Sequence, residues 1–242
     1  WDNAELVQQY ARADRVTRPF GRVLVDNSGI AASVGQGKDV HAIDLATGTG
    51  AVIQGIYDAV PTEGWSGLKV TGTDVSQHML DYLKGKGERE GWTGLQTQIA
   101  DGNNLRLPAE TYTHAFVSFG IFVMKDSALP NIHAALKPGG FVGLTTWARL
   151  GWLPLFYKAM AELEDAPYTP TEKEFEGTLY QDRDWTSPAF VSSVLQSAGF
   201  TKVETEVKKY RLPSGTAKQL VDSLQMPLRL MGAFWDESIR EE

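Results

Sequence analysis

One nine-residue run, Ala42-Ile43-Asp44-Leu45-Ala46-Thr47-Gly48-Thr49-Gly50, gathers the residue types best suited to chemistry in this chain. Its apolar half reads as a buried strand that ends in an acid and passes straight into a glycine-rich turn. Helical apolar spacing follows in Ala51-Val52-Ile53-Gln54-Gly55-Ile56. Strand, bend and helix start make a nucleotide-binding corner, because glycine has no Cβ to keep a ligand off the backbone. The turn is not a phosphate cradle. It lacks the Gly-Lys-Ser/Thr ending of a P-loop, and Gly48-x-Gly50 has no third glycine at the dinucleotide spacing. An acid ahead of the glycines would repel a pyrophosphate and suits a ligand carrying an amino group. Short Gly-x-Gly turns are common in α/β proteins, so the run needs support from elsewhere.

Later segments supply it. Leu68-Lys69-Val70-Thr71-Gly72-Thr73-Asp74 is a second strand ending in an acid, where ribose hydroxyls are accepted in nucleotide-binding α/β folds. A third strand runs from Leu95 to Asp101-Gly102, placing Asp101 to accept from an adenine amino group. Tyr112 to Gly120 reads as a fourth strand, and Leu136-Lys137-Pro138-Gly139-Gly140 turns into a fifth, Phe141 to Trp147. Adenosine plus an amino acid is the profile of S-adenosylmethionine. Each acid also has a bland reading. Asp44 can cap helix amides, Asp74 can cap the helix after it (a role Ser76 fills better), and Asp101 can be an ordinary turn residue.

In this order the motifs resemble those of the class I S-adenosylmethionine-dependent methyltransferases, over roughly residues 16–211. The similarity is closest to fungal secondary-metabolite methyltransferases of the gliotoxin bis-thiomethyltransferase type. It lies in Gly91-Trp92, in Tyr112 to Gly120, and in Thr145-Thr146-Trp147 to Trp152-Leu153-Pro154. The resemblance implies an α/β fold, a doubly wound, mostly parallel, Rossmann-like sheet of seven strands, with S-adenosyl-L-methionine as methyl donor and S-adenosyl-L-homocysteine as product. It implies cofactor contacts from Tyr10, Thr17, Asp44, Ala46, Gly48, Gly50, Asp74, Val75, Met79, Asp101, Gly102, Ser118 and Phe119. An acceptor pocket would be built from Phe122, Trp147, Trp152 and Phe156. Tyr10, Arg15 and Thr17 precede the first strand, an order that suits the methionine carboxylate, although Tyr10 fits an amphipathic core face equally well.

The elements that must position these residues follow from periodicity. Residues 2–14 and 18–34 read as two helices, and strands are expected at 39–45, 68–74, 95–101, 112–120 and 140–147. Helices are expected at 50–60, 77–90, 126–137 and 187–199, a strand or hairpin at 200–211, and a Pro227-interrupted helix at 216–235. Residues 148–184 break the alternation with an aromatic start and a Pro-rich, acidic middle. Four parts result: an N-terminal helical cap (1–38), the cofactor-binding core (39–147), a lid or acceptor insert (148–185), and the rest of the core with a terminal helix (186–242). Doubly wound sheets bind ligands at the carboxyl ends of their strands, which puts Gly48, Asp74, Asp101, Ser118-Phe119 and Trp147 on one rim.

At 242 residues and 42% hydrophobic content, the chain fits one α/β domain with a modest insert. Its net charge of −7 and lack of a basic cluster disfavour a nucleic-acid partner. Cysteine is absent, which excludes disulfides, thiolate metal sites and a cysteine nucleophile. No metal is expected. No apolar run approaches the ~20 residues of a membrane helix. A cytoplasmic monomer or weak homodimer acting on a small hydrophobic acceptor is expected. The chain starts at Trp1, not Met, so further residues are expected upstream.

The four histidines matter by their positions. His41 and His114 fall at strand starts, His133 in mid-helix and His78 beside the adenosine side. His114, five residues before Phe119, would lie roughly 16 Å from the rim at strand rise. No general base is therefore assigned, which favours a thiol or phenol, each with its own accessible pKa, over an unactivated alcohol. Together with the resemblance, this puts thiol ahead of phenol, enol or amine acceptors. Two other readings stand beside this one: a binder of the same cofactor without methyl transfer, and a nicotinamide dehydrogenase, the latter disfavoured by the glycine spacing.

Overall fold

The computed structural model describes residues 4–211 and 215–236; the outermost residues of the first and last predicted parts, and 212–214, lie outside the described residues. Strands β1 (Val40–Leu45), β2 (Leu68–Asp74), β3 (Leu95–Ile99), β4 (Tyr112–Ser118) and β5 (Leu136–Thr145) form one parallel sheet in the order β3-β2-β1-β4-β5. Strands β1 and β4 lie inside the sheet and are buried along most of their length because both their faces are covered. Chain order changes direction between these two strands. Ligand crevices in open α/β sheets form at such a switch, so the site belongs between the turn after Leu45 and the residues after Ser118.

Helices α1 (Ala4–Ser28), α2 (Ile30–Gly35), α3 (Ala51–Ala59) and α4 (Gln77–Glu90) enclose one core. Leu24, Val25, Ile53, Ile56, Leu83 and Phe116 are buried in it. On the other face α5 (Ala128–Ala135) and α8 (Pro188–Ser197) cover Ile43, Leu45, Val117, Ile132 and Leu195. Ser76 Oγ accepts from Met79 N at 3.3 Å, giving α4 the cap expected of it.

Four expectations are corrected. The sheet has five strands where seven were expected. The 200–211 segment forms no strand: Phe200 and Val203 pack on the core, while Val207 and Tyr210 are 51% and 43% exposed amid alternating charges. Beyond Phe200 and Val203, its alternation offered no apolar face to bury, which is what makes a strand pattern bind a sheet. The break expected between residues 14 and 18 does not occur either; α1 runs through Pro19 and stops at Gly29, which takes a left-handed φ of 70°. Proline removes one helical hydrogen bond, but tertiary packing outweighs that loss, with Val7 buried before Pro19 and Leu24 and Val25 after it. Finally, β5 starts at Leu136 instead of residue 140. A register irregularity opposite Tyr112 and His114 absorbs the Pro138-Gly139-Gly140 turn.

The 148–185 region holds α6 (Leu153–Met160) and α7 (Glu172–Tyr180). Leu150, Leu153, Phe156, Met160 and Phe175 pack with Met231 of α9 (Ala217–Met231) in a separate small core. Its far end is pinned to the main body, where Arg183 donates to the carbonyls of Phe122 (2.8 Å) and Met124 (3.0 Å) and pairs with Asp126 (2.9 Å). The element lying over the 46–50 turn is α1, through Tyr10, Asp14 and Thr17. Among the described residues no helix is long and apolar enough to cross a membrane.

Gly50 gives this fold a sharp test. Its φ is 84°, and a Cβ there would stand 2.5 Å from Leu83 Cδ1. Left-handed backbone and overpacking each cost an alanine about 1–3 kcal/mol. Gly50→Ala is expected to lose at least about 2 kcal/mol in urea unfolding; an unchanged midpoint and slope would contradict this packing of turn against helix.

Candidate active site

The turn that follows β1 is held in an unusual shape. Ala46, Gly48 and Gly50 all have positive φ (52°, 53° and 84°), and Ala46 does so without glycine's freedom. Backbone strain of this kind persists only where the surroundings over-determine it. Here they do. Thr47 N donates to Thr73 O and Gly50 N to Thr47 O, both at 2.9 Å. Gly48 N donates to Asp74 Oδ2 at 2.9 Å, and Ser76 N donates to Asp74 Oδ1 at 3.0 Å. One carboxylate thus joins the glycine turn to the start of α4. Each of its oxygens keeps a lone pair for hydroxyl donors at the rim.

Asp101, exposed at the end of β3, accepts from Asn103 N at 2.8 Å and caps the short turn Gly102–Asn104. A Cβ on Gly102 would lie 2.7 Å from the Met124 sulfur, so this position is tight. Between the two acids stand Val75 and Ile99, 54% and 49% exposed. Two apolar side chains left in solvent between two acids form a ledge suited to a flat base with polar edges. Ile99 was not among the expected contacts; its exposed apolar position at the end of an otherwise polar strand is the signal that marks it. Met79 is corrected in the other direction. It is 1% exposed, so any contact it makes with a ligand comes from beneath the ledge and not from its open face.

Under α1 lies a small, partly open space of about 10 Å³, lined by Tyr10, Asp14, Thr17, Asp44, Ala46, Thr47, Ala51, Val52 and Ser118. The Tyr10 ring stands against the glycine turn, so that a Cβ on Gly48 would be 3.1 Å from its Cε1. Burial, then the charges of Asp14, Asp74 and Asp44, raise the Tyr10 phenol pKa. Asp44 is buried; its Oδ2 accepts from Thr47 Oγ1 at 2.6 Å, and its Oδ1 has no partner. Desolvation pushes its pKa up from 3.8 to about 7, the Thr47 hydrogen bond opposing and the charges of Asp74 and Asp14 adding to the rise. Arg15 turns away from this space and donates to Gln219 O (3.1 Å) and Ser223 Oγ (2.6 Å) of α9. Thr17 Oγ1 donates to Asp14 O at 3.3 Å.

Beyond Ser118, whose Oγ lies 3.1 Å from Thr145 Oγ1, Phe119 adopts φ 55°. Its ring stacks on Trp147 at 3.9 Å between centroids and 18° between planes. Phe20 of α1 meets both rings edge-on, at 5.5 and 5.7 Å, and Tyr210 meets Phe20 at 4.9 Å. Phe20 and Tyr210 were not among the expected contacts, because Phe20 lies on a helix before the first strand and Tyr210 in a stretch expected to join the sheet. A wide cleft of about 2100 Å³ opens beside these rings between β5, residues 199–210 and α9, with Phe122, Trp147 and Trp152 in its wall. Phe156 is not in that wall; it is 6% exposed and buried with Leu153, Met160 and Phe175. Its helical register turns it into the insert's own core.

The histidines stand off the rim. His114 is buried between Thr113 Oγ1 (2.8 Å) and the carbonyl of Ser28 (3.3 Å), and burial lowers its pKa. His41 packs on Tyr112 at the same far end, also lowered by burial, and His133 packs on Phe200. His78 is exposed on α4. Among the described residues no group of three acidic or histidine side chains could hold a metal ion.

A family profile described as "Methyltransferase domain" matches residues 42–140. The methyltransferase ktnA of Aspergillus niger is 29% identical over 99% of this chain and 84% of its own length. The acetylaranotin bis-thiomethyltransferase of Aspergillus terreus is 27% identical over 98% of this chain and 81% of its own. Among solved structures, phosphoethanolamine N-methyltransferase 2 of Haemonchus contortus, in complex with S-adenosyl-L-methionine, superposes with a TM-score of 0.51 at 17% identity. That match covers 85% of this chain and 41% of the other, and shows a shared fold. Fold, turn and relatives thus agree on an S-adenosylmethionine-dependent methyltransferase, with residues 42–140 matching the methyltransferase domain.

Proposed function

We propose that this methyltransferase acts on a small, apolar natural product and that its acceptor atom is a thiol sulfur. The observation that carries the reading is the stacked Phe119–Trp147 pair at the rim, opening on an aromatic-walled cleft whose lining histidine, His133, packs on Phe200 and not on that pair. Similarity to a bis-thiomethyltransferase points the same way.

The residues present fit the cofactor. An unpartnered, buried Asp44 oxygen suits an ammonium, the two free lone-pair sites of Asp74 suit ribose hydroxyls, and the Val75–Ile99–Asp101 ledge suits adenine. When bound, the cofactor supplies an electrophilic methyl group on a positively charged sulfur. Asp44, Asp74 and the 46–50 turn bind and orient; Phe119 and Trp147 offer π-faces that attract positive charge. Aromatic walls exclude water, which aids alignment for direct displacement. The acceptor's proton leaves before or during attack, and a thiol of pKa about 8.5 releases it without a protein base.

Asp44 makes cofactor affinity depend on pH. Its raised folded-state pKa of about 7 means that its proton stabilises the free protein below neutrality, and that this contribution is lost as pH rises through about 7. A cationic group binds the ionised form. Calorimetric affinity for S-adenosylhomocysteine should therefore be about tenfold weaker at pH 6 than at pH 7.5, with proton release at the lower pH. Equal affinities at the two values would remove Asp44 from the amino-group contact.

Acceptor chemistry is read by mass spectrometry with a panel of small apolar thiols, phenols and amines. Methylated thiol should predominate, and the saturated rate should climb with pH along the thiol's own ionisation, beyond the plateau set by Asp44. His78→Ala and His133→Ala should keep most of kcat, since a true general base contributes about 10²–10⁴-fold. Cofactor binding without any methylated product would instead support a non-transferring binder. A hundredfold loss in a folded, cofactor-bound histidine variant would favour an alcohol acceptor.

A further inference from the structure

Asp14 is an acid in the wrong place for a solvated helix. It sits on α1 at 4% exposure, and its Oδ1 is shut from solvent without a hydrogen-bond partner. Two cations lie near it. Arg18 reaches Oδ2 at 3.4 Å from a half-exposed position, and Lys86 of α4 holds its ammonium 5.5 Å above the Trp92 ring. Neither bonds Oδ1.

The same description applies across the gap. Asp44 Oδ1 is also buried and unpartnered, and both acids line the same small space of about 10 Å³. Its other polar walls include the hydroxyls of Tyr10, Thr17, Thr47 and Ser118. Thr17 and Thr47 already spend their protons on Asp14 O and Asp44 Oδ2, so both face the space as acceptors. That volume takes about one water or one ammonium head. Buried carboxylate oxygens facing one another are costly unless a donor, best a charged one, stands between them. A neutral water has two protons; an ammonium has three and the opposite charge.

We propose that Asp14 is the second wall of the seat for the cofactor's ammonium group, facing Asp44 across it. α1 then recognises the amino-acid end of the ligand instead of merely covering it. The assignment rests on the cofactor reading above, and it makes Asp14 a binding residue with no part in the methyl transfer itself.

The test compares two ligands in calorimetry. S-adenosylhomocysteine carries the ammonium; 5′-methylthioadenosine keeps adenosine and sulfur but lacks the amino-acid part. Asp14→Asn, nearly isosteric and neutral, should weaken S-adenosylhomocysteine about ten- to a hundredfold, the range of a charged hydrogen bond. It should leave 5′-methylthioadenosine within about twofold, because the adenosine contacts are untouched. If Asp14→Asn does not fold, Asp14→Glu serves: it keeps the charge and the Arg18 pairing but its longer side chain fills the seat, and the same selective loss is expected. Unchanged S-adenosylhomocysteine affinity would overturn the assignment, as would equal weakening of both ligands, which marks a structural role for α1. Wild-type protein that binds neither ligand would overturn the cofactor reading and this seat with it.

Discussion

The Asp74 carboxylate, accepting from Gly48 N at 2.9 Å and Ser76 N at 3.0 Å, is the interaction on which the rest of the site depends. Parallel strands end at the same edge, but nothing in a sheet alone fixes the loops that leave it. One side chain here fixes two loops at once. It keeps the turn after β1 in its left-handed shape and sets the entry of α4, whose Leu83 packs against Gly50. Hydrogen bonds to a carboxylate are worth about twice neutral ones, enough to hold strained backbone at Ala46.

From that clamp two environments follow. On the open side Asp74, Val75, Ile99 and Asp101 form a solvent-facing ledge that mixes apolar and acidic groups. On the closed side α1 presses Tyr10, Asp14 and Thr17 toward Asp44, in a space so small that desolvation outweighs every other influence on the Asp44 proton. A ligand with a base at one end and an ammonium at the other is complementary to this division. The aromatic rings of Phe20, Phe119 and Trp147 stand at the boundary between this site and the cleft beyond it.

Legibility in the sequence follows the strength of the local signal. β1, β2, β4 and α4 were readable because buried parallel strands are predominantly apolar and Ser76 is a clear helix cap. The acids and glycines of the turn were readable because chemistry and spacing coincide there. Pro19 misled in the opposite sense: a helix breaker by type, it is carried inside α1 because the helix buries Val7 on one side of it and Leu24 and Val25 on the other. The 200–211 stretch alternates, yet beyond Phe200 and Val203 it offers the sheet no apolar face to bury. Phe156 and Met79 fit their assigned roles by residue type, but their helical register turns them inward. Asp14 carried no signal, since an acid on an amphipathic helix ordinarily belongs to a solvated face. Only tertiary packing against Asp44 reveals it.

The central claim is that the Asp74 clamp both shapes the turn and receives the ribose. It is tested most directly by titrating S-adenosylhomocysteine into wild-type protein and into a folded Asp74→Ala variant. Loss of charge-assisted hydrogen bonds should weaken binding about ten- to a hundredfold, with the loss shared by 5′-methylthioadenosine because both ligands carry the ribose. Wild-type affinity for both ligands in the folded variant would contradict the account.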